Sequence, residues 1–240
     1  MDVLLVRAAN PSPFTLSGTN TWVVGRAPAW VVDPGPALEP HLDAVAAAVA
    51  ERGGAGGIAL THDHPDHAEG LDALRRRLGD PPVGAWPGLG DGVTFGPFTA
   101  LHVPGHAPDH LVFACADGAF SGDAVLGEGS VFIAPGGGSL GAYLDGLRRL
   151  RALAPPRLFP GHGPVVEDPA ARLDEHIAHR LERERRIVAA LAAGARTEDE
   201  LLAAAWDEIP EGLRLPAAWT LAAHLEKLRE EGRLPAELRH

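Results

Sequence analysis

The sequence predicts a layered α/β protein with a small helical module at its C-terminal end, and three observations carry that reading. Short apolar runs rich in β-branched residues alternate with helix-like runs through the first half. A second series of short strands, cut by Gly, Pro and Asp, follows. From about residue 169 glycine becomes scarce, β-branched residues thin out and helical periodicity takes over. With 240 residues the chain can build one large core and a small appended unit. The composition shift places them at residues 1–170 and 171–240.

In order, "TNTWVVG" and "AWVVDPG" read as strands, residues 38–51 as an Ala-rich helix, "GIALTH" as a strand and "GLDALRRRL" as a helix. The second series comprises "VTFG", "FTALHVPGH", "HLVFACADGAFSGD" and "SVFIAP". Leu140, Leu144, Leu147 and Leu150 recur at helical spacing, which predicts a helix over about 140–154, and "RLFPGH" supplies a further short strand. The pattern is two strand-rich halves, each with helices to cover one face. Beyond it, "AARLDEHIAHRLERERRIVAALAAG" reads as one long amphipathic helix ending near Gly194. Thr197 with Glu200 fits a capping box for "EDELLAAAW", and "PAAWTLAAHLEKLREEGRL" gives a third helix with a turn at Gly232. Helices of this length and order resemble a winged-helix or helix-turn-helix module.

Hydrophobic residues at 45% and charged residues at 22% are those of a folded protein, not a disordered one. Against 21 Lys and Arg stand 32 Asp and Glu, a formal net charge of −11, so there is no general attraction to nucleic acid or to an anionic membrane. A polyanionic substrate would have to be held locally. The single cysteine, Cys115, sits in the apolar run "LVFACADG" and reads as a small buried thiol, not a nucleophile. The N-terminal stretch lacks the basic segment and apolar length of a signal peptide, and no run approaches the roughly 20 apolar residues of a spanning helix. A cytoplasmic protein is expected.

The chemistry concentrates in "THDHPDHAEG", where three histidines and two aspartates fall within six positions, His62 to His67. Such crowding is costly unless a positive ion balances it. His62 and His64 at i and i+2, followed by Asp66 and His67, suit a loop leaving a strand better than one face of a helix, and their side chains can converge on two adjacent centres. His106 in "VPGHAPDH", Asp123 in "FSGDAVLGEG" and His162 in "FPGHGPVV" each sit in a Gly- or Pro-marked turn after an apolar run, where strand ends deliver catalytic groups. Imidazole and carboxylate donors without thiolate suit zinc and tolerate iron or manganese. Two ions about 3.5–4 Å apart can activate a water and polarise the bond it attacks. The expectation is metal-assisted hydrolysis. His41, His102, His179, His224 and His240 read as ordinary structural or surface histidines, and His110, four positions beyond His106, is left open.

"HDHPDH" resembles the HxHxDH signature of the metallo-β-lactamase superfamily, and His106, Asp123, His162 and the early Asp33 in "VVDPG" fall where its other motifs fall. The resemblance covers essentially the whole chain and implies an αββα sandwich. It also implies a dinuclear zinc hydrolase that uses a metal-activated water. His62, His64 and His106 would hold one ion, Asp66, His67 and His162 the other, Asp123 would bridge, Asp66 would also serve in catalysis and Asp33 would support the ligands. "GTNTWVVG", "FSGDAVLGEG", "IAP" and "HRLERERRI" followed by short helices are similar to the lactamase-beta-2-like branch, which adds a C-terminal winged-helix-like domain. Its animal relatives are endoribonucleases acting on single-stranded RNA. That likeness implies an RNA substrate held by the metals and by local arginines such as Arg180, Arg183 and Arg186.

A thioester hydrolase of the glyoxalase II kind shares the same ligand pattern and is the main alternative, with a small-molecule substrate. β-Lactamases generally lack the bridging aspartate and are exported. A DNA-binding regulator with a metal-sensing domain would need a basic C-terminal surface, and acidic residues slightly outnumber basic ones there. Duplex DNA is therefore disfavoured as a partner, and the module can equally shape the cleft or mediate a homodimer. "GGSLG" at Gly137 to Gly141 fits G-x-S-x-G, yet Pro135 and the run of glycines suggest a mobile loop in place of a sharp elbow, and a serine hydrolase leaves the histidines unexplained. "GLGDGV" at Gly88 to Val93 lacks the GK[ST] of a phosphate loop and reads as a turn.

Overall fold

A computed structural model describes residues 1–134, 137–206, 208–210 and 212–235. Pro135 of the glycine-rich loop and His240 lie outside the described residues, as do a few positions of the 171–240 module. The first five-stranded sheet runs β1 (Val3–Arg7), β2 (Asn20–Val24), β3 (Ala29–Val32), β4 (Ala55–Ala59), β5 (Val83–Gly84), in that spatial order. β1–β2 and β2–β3 pair antiparallel, β3–β4 and β4–β5 parallel. The parallel steps need crossovers, supplied by α1 (Glu39–Ala50) and by α2 (Pro65–Ala68) with α3 (Leu71–Arg77).

The second sheet is ordered β10 (Leu158–Pro160), β9 (Gly118–Gly122), β8 (Leu111–Cys115), β7 (Phe98–His102), β6 (Thr94–Phe95). Only β10 runs parallel to its neighbour, reached through α4 (Leu140–Leu153). The two-residue strand period distributes the core. Trp22 and Val24 face the other sheet and meet Phe98, Phe113, Phe120 and Phe159, while Val23 between them faces α1 beside Leu42 and Val45. On the far side, α4 lays Leu140, Tyr143, Leu144, Leu147 and Leu150 against Val112, Ala119 and Leu158. The layers are helix, sheet, sheet, helix, as the sequence predicts.

The long helix α5 (Pro169–Ala192) joins two cores. Leu173, Ile177 and Leu181 pack on the second sheet's outer cluster, whereas Ile187 and Leu191 pack with Leu201 and Leu202 of α6 (Glu198–Ala205) and Leu221 and Leu228 of α7 (Arg214–Glu230). The Thr197–Glu200 capping box is present. Ala223 of α7 also enters the second sheet's cluster, so the C-terminal helices are docked onto the sandwich. Among the described residues no helix is long and apolar enough to cross a membrane.

His176 of α5 and His224 of α7 are enclosed in this junction. Burial, reinforced by Arg172 and Arg180, pushes His176 down to about 3, and burial with Arg180 and Lys227 does the same to His224. Neither ring nitrogen of His224 has a hydrogen-bond partner. Between about pH 3 and 6.5 the unfolded chain takes up protons that these folded histidines refuse, so their contribution is complete above about pH 6.5 and falls away on acidification, by at most about 1.4 kcal/mol per pH unit each. His224→Leu removes two unpaired polar atoms at similar volume, and is expected to raise stability at pH 7 by about 1 kcal/mol. It should also shrink the loss between pH 7 and pH 5 in urea unfolding. An unchanged pH slope would contradict this assignment.

Candidate metal centre

Every candidate ligand lies just beyond a strand. β3 ends at Val32, and Asp33 follows it with a φ of 55° that turns the chain sharply; an aspartate tolerates this left-handed conformation better than most residues. β4 runs out through Leu60 and Thr61 into His62, and Pro65 at the first position of α2 sets up the turn that carries Asp66 and His67. β7 leads toward His106, β9 to Asp123 and β10 to His162. Two glycines let these ends converge. A Cβ on Gly161 would stand 2.5 Å from Asp123 Oδ1 and 2.6 Å from His67 Cε1, and one on Gly122, at φ 47°, would meet Thr61 Oγ1 at 2.7 Å.

All seven sequence-predicted ligands are brought together. His64 Nδ1 lies 3.0 Å from both His62 Nε2 and His106 Nε2. His67 Nε2 is 3.3 Å from His162 Nε2 and 3.4 Å from Asp66 Oδ2, which is 3.2 Å from His162 Nε2. Asp123 spans the two groups, its Oδ1 3.5 Å from His67 Nε2 and its Oδ2 3.6 Å from His106 Nε2 and 3.4 Å from His162 Nε2. Asp33 stands outside, accepting from Thr61 N at 2.7 Å, Thr61 Oγ1 at 2.8 Å and His67 Nδ1 at 2.8 Å.

Four of the five rings turn a particular nitrogen inward because the other nitrogen is engaged. Nδ1–H of His106 donates to Phe132 O at 2.9 Å, that of His67 to Asp33, and that of His162 to Gly18 O at 3.4 Å. The Thr61 hydroxyl gives its hydrogen to Asp33 and therefore accepts from His62 Nδ1–H at 2.9 Å. Four Nε2 atoms and His64 Nδ1 thus converge with no donor shared out among them in these tautomers. Buried Asp123 Oδ1 also lacks a hydrogen-bond partner. A set of inward nitrogen and carboxylate lone pairs, with four of the five rings oriented from behind, fits a bound cation.

The electrostatics divide the cluster. Burial, with His67 and His110 adding to it, holds His62 well below the ordinary imidazole value, and burial also lowers His106 and His110. At His67 burial acts downward but the Asp123 and Asp33 carboxylates outweigh it, so it is raised well above the usual value; His162 rises to about 9 against burial because of Asp123 and Asp66. Burial pushes Asp123 and Asp66 up, and the neighbouring histidines, His162 and His67, overcome it in both, keeping Asp123 far below and Asp66 below the carboxylate range. A cation would take the place of the protons held on the carboxylate side.

The structure also places residues that the sequence left open or did not single out. His110 is fully buried beside His62, and its Nε2 accepts from Asp123 N at 3.1 Å, which fixes the backbone that carries Asp123. Thr19 Oγ1 donates to Asp66 Oδ2 at 3.1 Å. Ser139 of "GGSLG" is the N-cap of α4, its hydroxyl accepting from Ala142 N at 3.3 Å, a capping role in place of a nucleophilic one. Arg180, expected to hold RNA, is only 3% exposed and donates to Ser130 and Val131, so it cannot meet a strand lying in solvent. Arg183 lies over Trp206 and Arg186 pairs with Glu182.

A cleft of about 240 Å³ opens onto the cluster at His64, Asp66, His106, Asp123 and His162. Its opposite wall is apolar. Phe14, Phe132 and Trp219 of α7 meet there, with Phe14–Phe132 centroids 5.6 Å apart edge-on and Phe14–Trp219 stacked at 6.5 Å. Among the described residues neither lysine nor arginine lines it.

The profile of the Metallo-beta-lactamase superfamily matches residues 79–162, and that of the Beta-lactamase associated winged helix domain matches residues 197–237. A Beta-lactamase-like protein 2 homolog of Drosophila melanogaster is 31% identical, over 97% of this chain and 89% of that protein. An atrochrysone carboxyl ACP thioesterase of Aspergillus chevalieri is 32% identical, over 87% of this chain and 74% of that one. A protein crystallised in a di-iron-bound form is 27% identical with a TM-score of 0.58, covering 71% of this chain and 98% of its own. The chain belongs to the metallo-β-lactamase superfamily, as a relative of the beta-lactamase-like protein 2 homologues that carries a beta-lactamase-associated winged helix domain at its C-terminal end.

Proposed function

We propose that this superfamily hydrolase works with two metal ions, one held by His62, His64 and His106, the other by Asp66, His67 and His162, with Asp123 between them, and that it cleaves a thioester with an apolar acyl group. The observation that carries the substrate reading is the cleft, whose wall away from the cluster is mainly aromatic and aliphatic and, among the described residues, carries no fixed cation. An uncharged acyl group gains by burial there, whereas a phosphate chain would find no guanidinium or ammonium. Thioesterase names among relatives about 30% identical support the same chemistry.

The bound ions would supply Lewis-acid polarisation of the carbonyl and a nucleophilic water at neutral pH. The chain's own contribution is positioning. Asp66, the most open carboxylate of the cluster at 28% side-chain exposure, is held by Thr19 and kept ionised, so it can accept a proton at the cleft face. Phe14, Phe132 and Trp219 exclude water and orient the acyl group. Zinc suits the imidazole and carboxylate donors, and iron is compatible, as the di-iron relative illustrates for its own site. Protein prepared without chelator should carry about two ions per chain by metal analysis. A value near zero that zinc addition does not raise would end the metal assignment.

Single-stranded RNA is the second reading, favoured by the Phe14–Trp219 stack at the cleft, where the exposed Phe14 ring could receive a base. A panel of a benzoyl-pantetheine thioester, S-lactoylglutathione and single-stranded RNA separates the readings. Chelator-sensitive turnover is expected to be fastest on the apolar thioester, and faster cleavage of RNA would overturn the proposal. Trp219→Ala should weaken the KM for the benzoyl thioester about 3- to 10-fold with little change in kcat, since it removes an aromatic contact away from the reacting bond. Equal effects on S-lactoylglutathione would contradict that placement.

A further inference from the structure

A second cavity, of about 180 Å³, lies behind the cleft, between the C-terminal helices and the segment Ser130–Phe132. Val131 and Phe132 line both spaces and form the partition between them. Its far wall is apolar, built by Trp206, Ile209, Leu213 and Ala217. Arg180 of α5 forms its polar side together with His179 and Arg183 of the same helix.

Arg180 is an exception among the buried charges of this protein. Glu184, one turn further along α5, is paired with Lys227 at 2.7 Å and Arg233 at 2.6 Å, and Arg52 reaches Asp2 at 3.3 Å. Arg180 is 3% exposed, yet among the described residues no carboxylate forms an ion pair with it. The Tyr143 ring lies 5.5 Å from the guanidinium carbon, the adjoining His176 and His224 are held uncharged by burial, and Arg183 on the same cavity is a second cation, not a counter-charge. Its hydrogen bonds to Ser130 Oγ at 3.1 Å and to Val131 O both come from Nη2, while the enclosed Nε has no partner among the described residues. A buried cation without a counter-charge is costly, and a protein normally supplies one.

We propose that this interdomain cavity is a binding site for a small monocarboxylate, its charge meeting Arg180 and its apolar body packing against Trp206, Ile209 and Leu213. The volume corresponds to about six waters at roughly 30 Å³ each, enough for a single ring or a short branched chain bearing one carboxylate. An inorganic phosphate would leave the apolar far wall without a partner, which favours an anion with a hydrocarbon body. The ligand would sit against the partition whose Phe132 carbonyl accepts from His106 Nδ1, next to the candidate metal centre but not on it.

The test is calorimetric titration of the metal-loaded full chain with benzoate, using benzyl alcohol as the uncharged analogue. Benzoate is expected to bind at least about tenfold more tightly than the alcohol. Ala217→Leu fills the cavity and leaves every charge in place; it should weaken benzoate about tenfold or more at unchanged metal content. Arg180→Met, which substitutes an apolar chain for a buried charge and is compatible with folding, should do the same. If Arg180→Met does not fold, Ala217→Leu decides alone. Absence of benzoate binding, equal binding of the alcohol, or benzoate binding that Ala217→Leu leaves unchanged would each overturn the site, the last by placing the carboxylate on the metals or elsewhere.

Discussion

Asp66→Asn is expected to lower kcat/KM by about 10²–10³-fold while leaving the fold intact. Asp66 sits at the mouth of the cluster, where Thr19 Oγ1, His67 Nε2 and His162 Nε2 all approach Oδ2 within 3.4 Å. The amide keeps the shape but removes a negative charge and cannot accept a proton, so both the proposed metal on that side and the proton transfer at the cleft face lose their partner. Most of the loss should fall on kcat, because on the proposed reading the acyl group rests on the aromatic wall and not on Asp66. Thermal unfolding near that of the parent together with near-parent turnover would remove Asp66 from the chemistry.

Asp33→Asn should lower metal affinity about 10- to 100-fold although Asp33 touches none of the inward-facing nitrogens. Its two oxygens take three hydrogens, from Thr61 N, Thr61 Oγ1 and His67 Nδ1, and an asparagine would turn its own N–H group toward at least one of them. The conflict is relieved if His67 shifts its proton to Nε2, which points the wrong atom at the cluster. Asparagine tolerates the 55° φ, so the effect isolates the hydrogen bonding from the backbone. Competition with a coloured chelator measures it, and stability should drop by about 1–3 kcal/mol. Parent-like metal affinity would show that His67 is not oriented through Asp33.

What the sequence made legible were features written locally. The histidines and aspartates of "HDHPDH" occupy six positions, and His106, Asp123 and His162 follow strand-like runs in Gly- and Pro-marked turns. The interleaved strand and helix runs gave the layered α/β class and the family resemblance implied the sandwich, in which the two-residue period sends Trp22 and Val24 to one face and Val23 to the other. The cleft wall was not legible. Phe14 lies in a loop and Trp219 on a helix more than two hundred positions later, and only the docking of α7 on the sandwich brings them together. Arg180 misled for the same reason: the periodicity of α5 gives it a place on a helix face, but not that α4 and α7 close over that face. His110 stayed open because four positions in a loop do not tell which way a ring turns.

His67 and His162, whose inner nitrogens lie 3.3 Å apart, are separated by 95 positions. A ribosome adds about 5–20 residues each second, so some 5–20 s of synthesis separate the two. During that interval His62, His64, Asp66 and His67 can offer a passing ion only an incomplete set of donors. On the proposed ligand assignment the finished centre loads after translation, and the ion that occupies it is chosen by the free-metal pool the completed chain meets as well as by its donors.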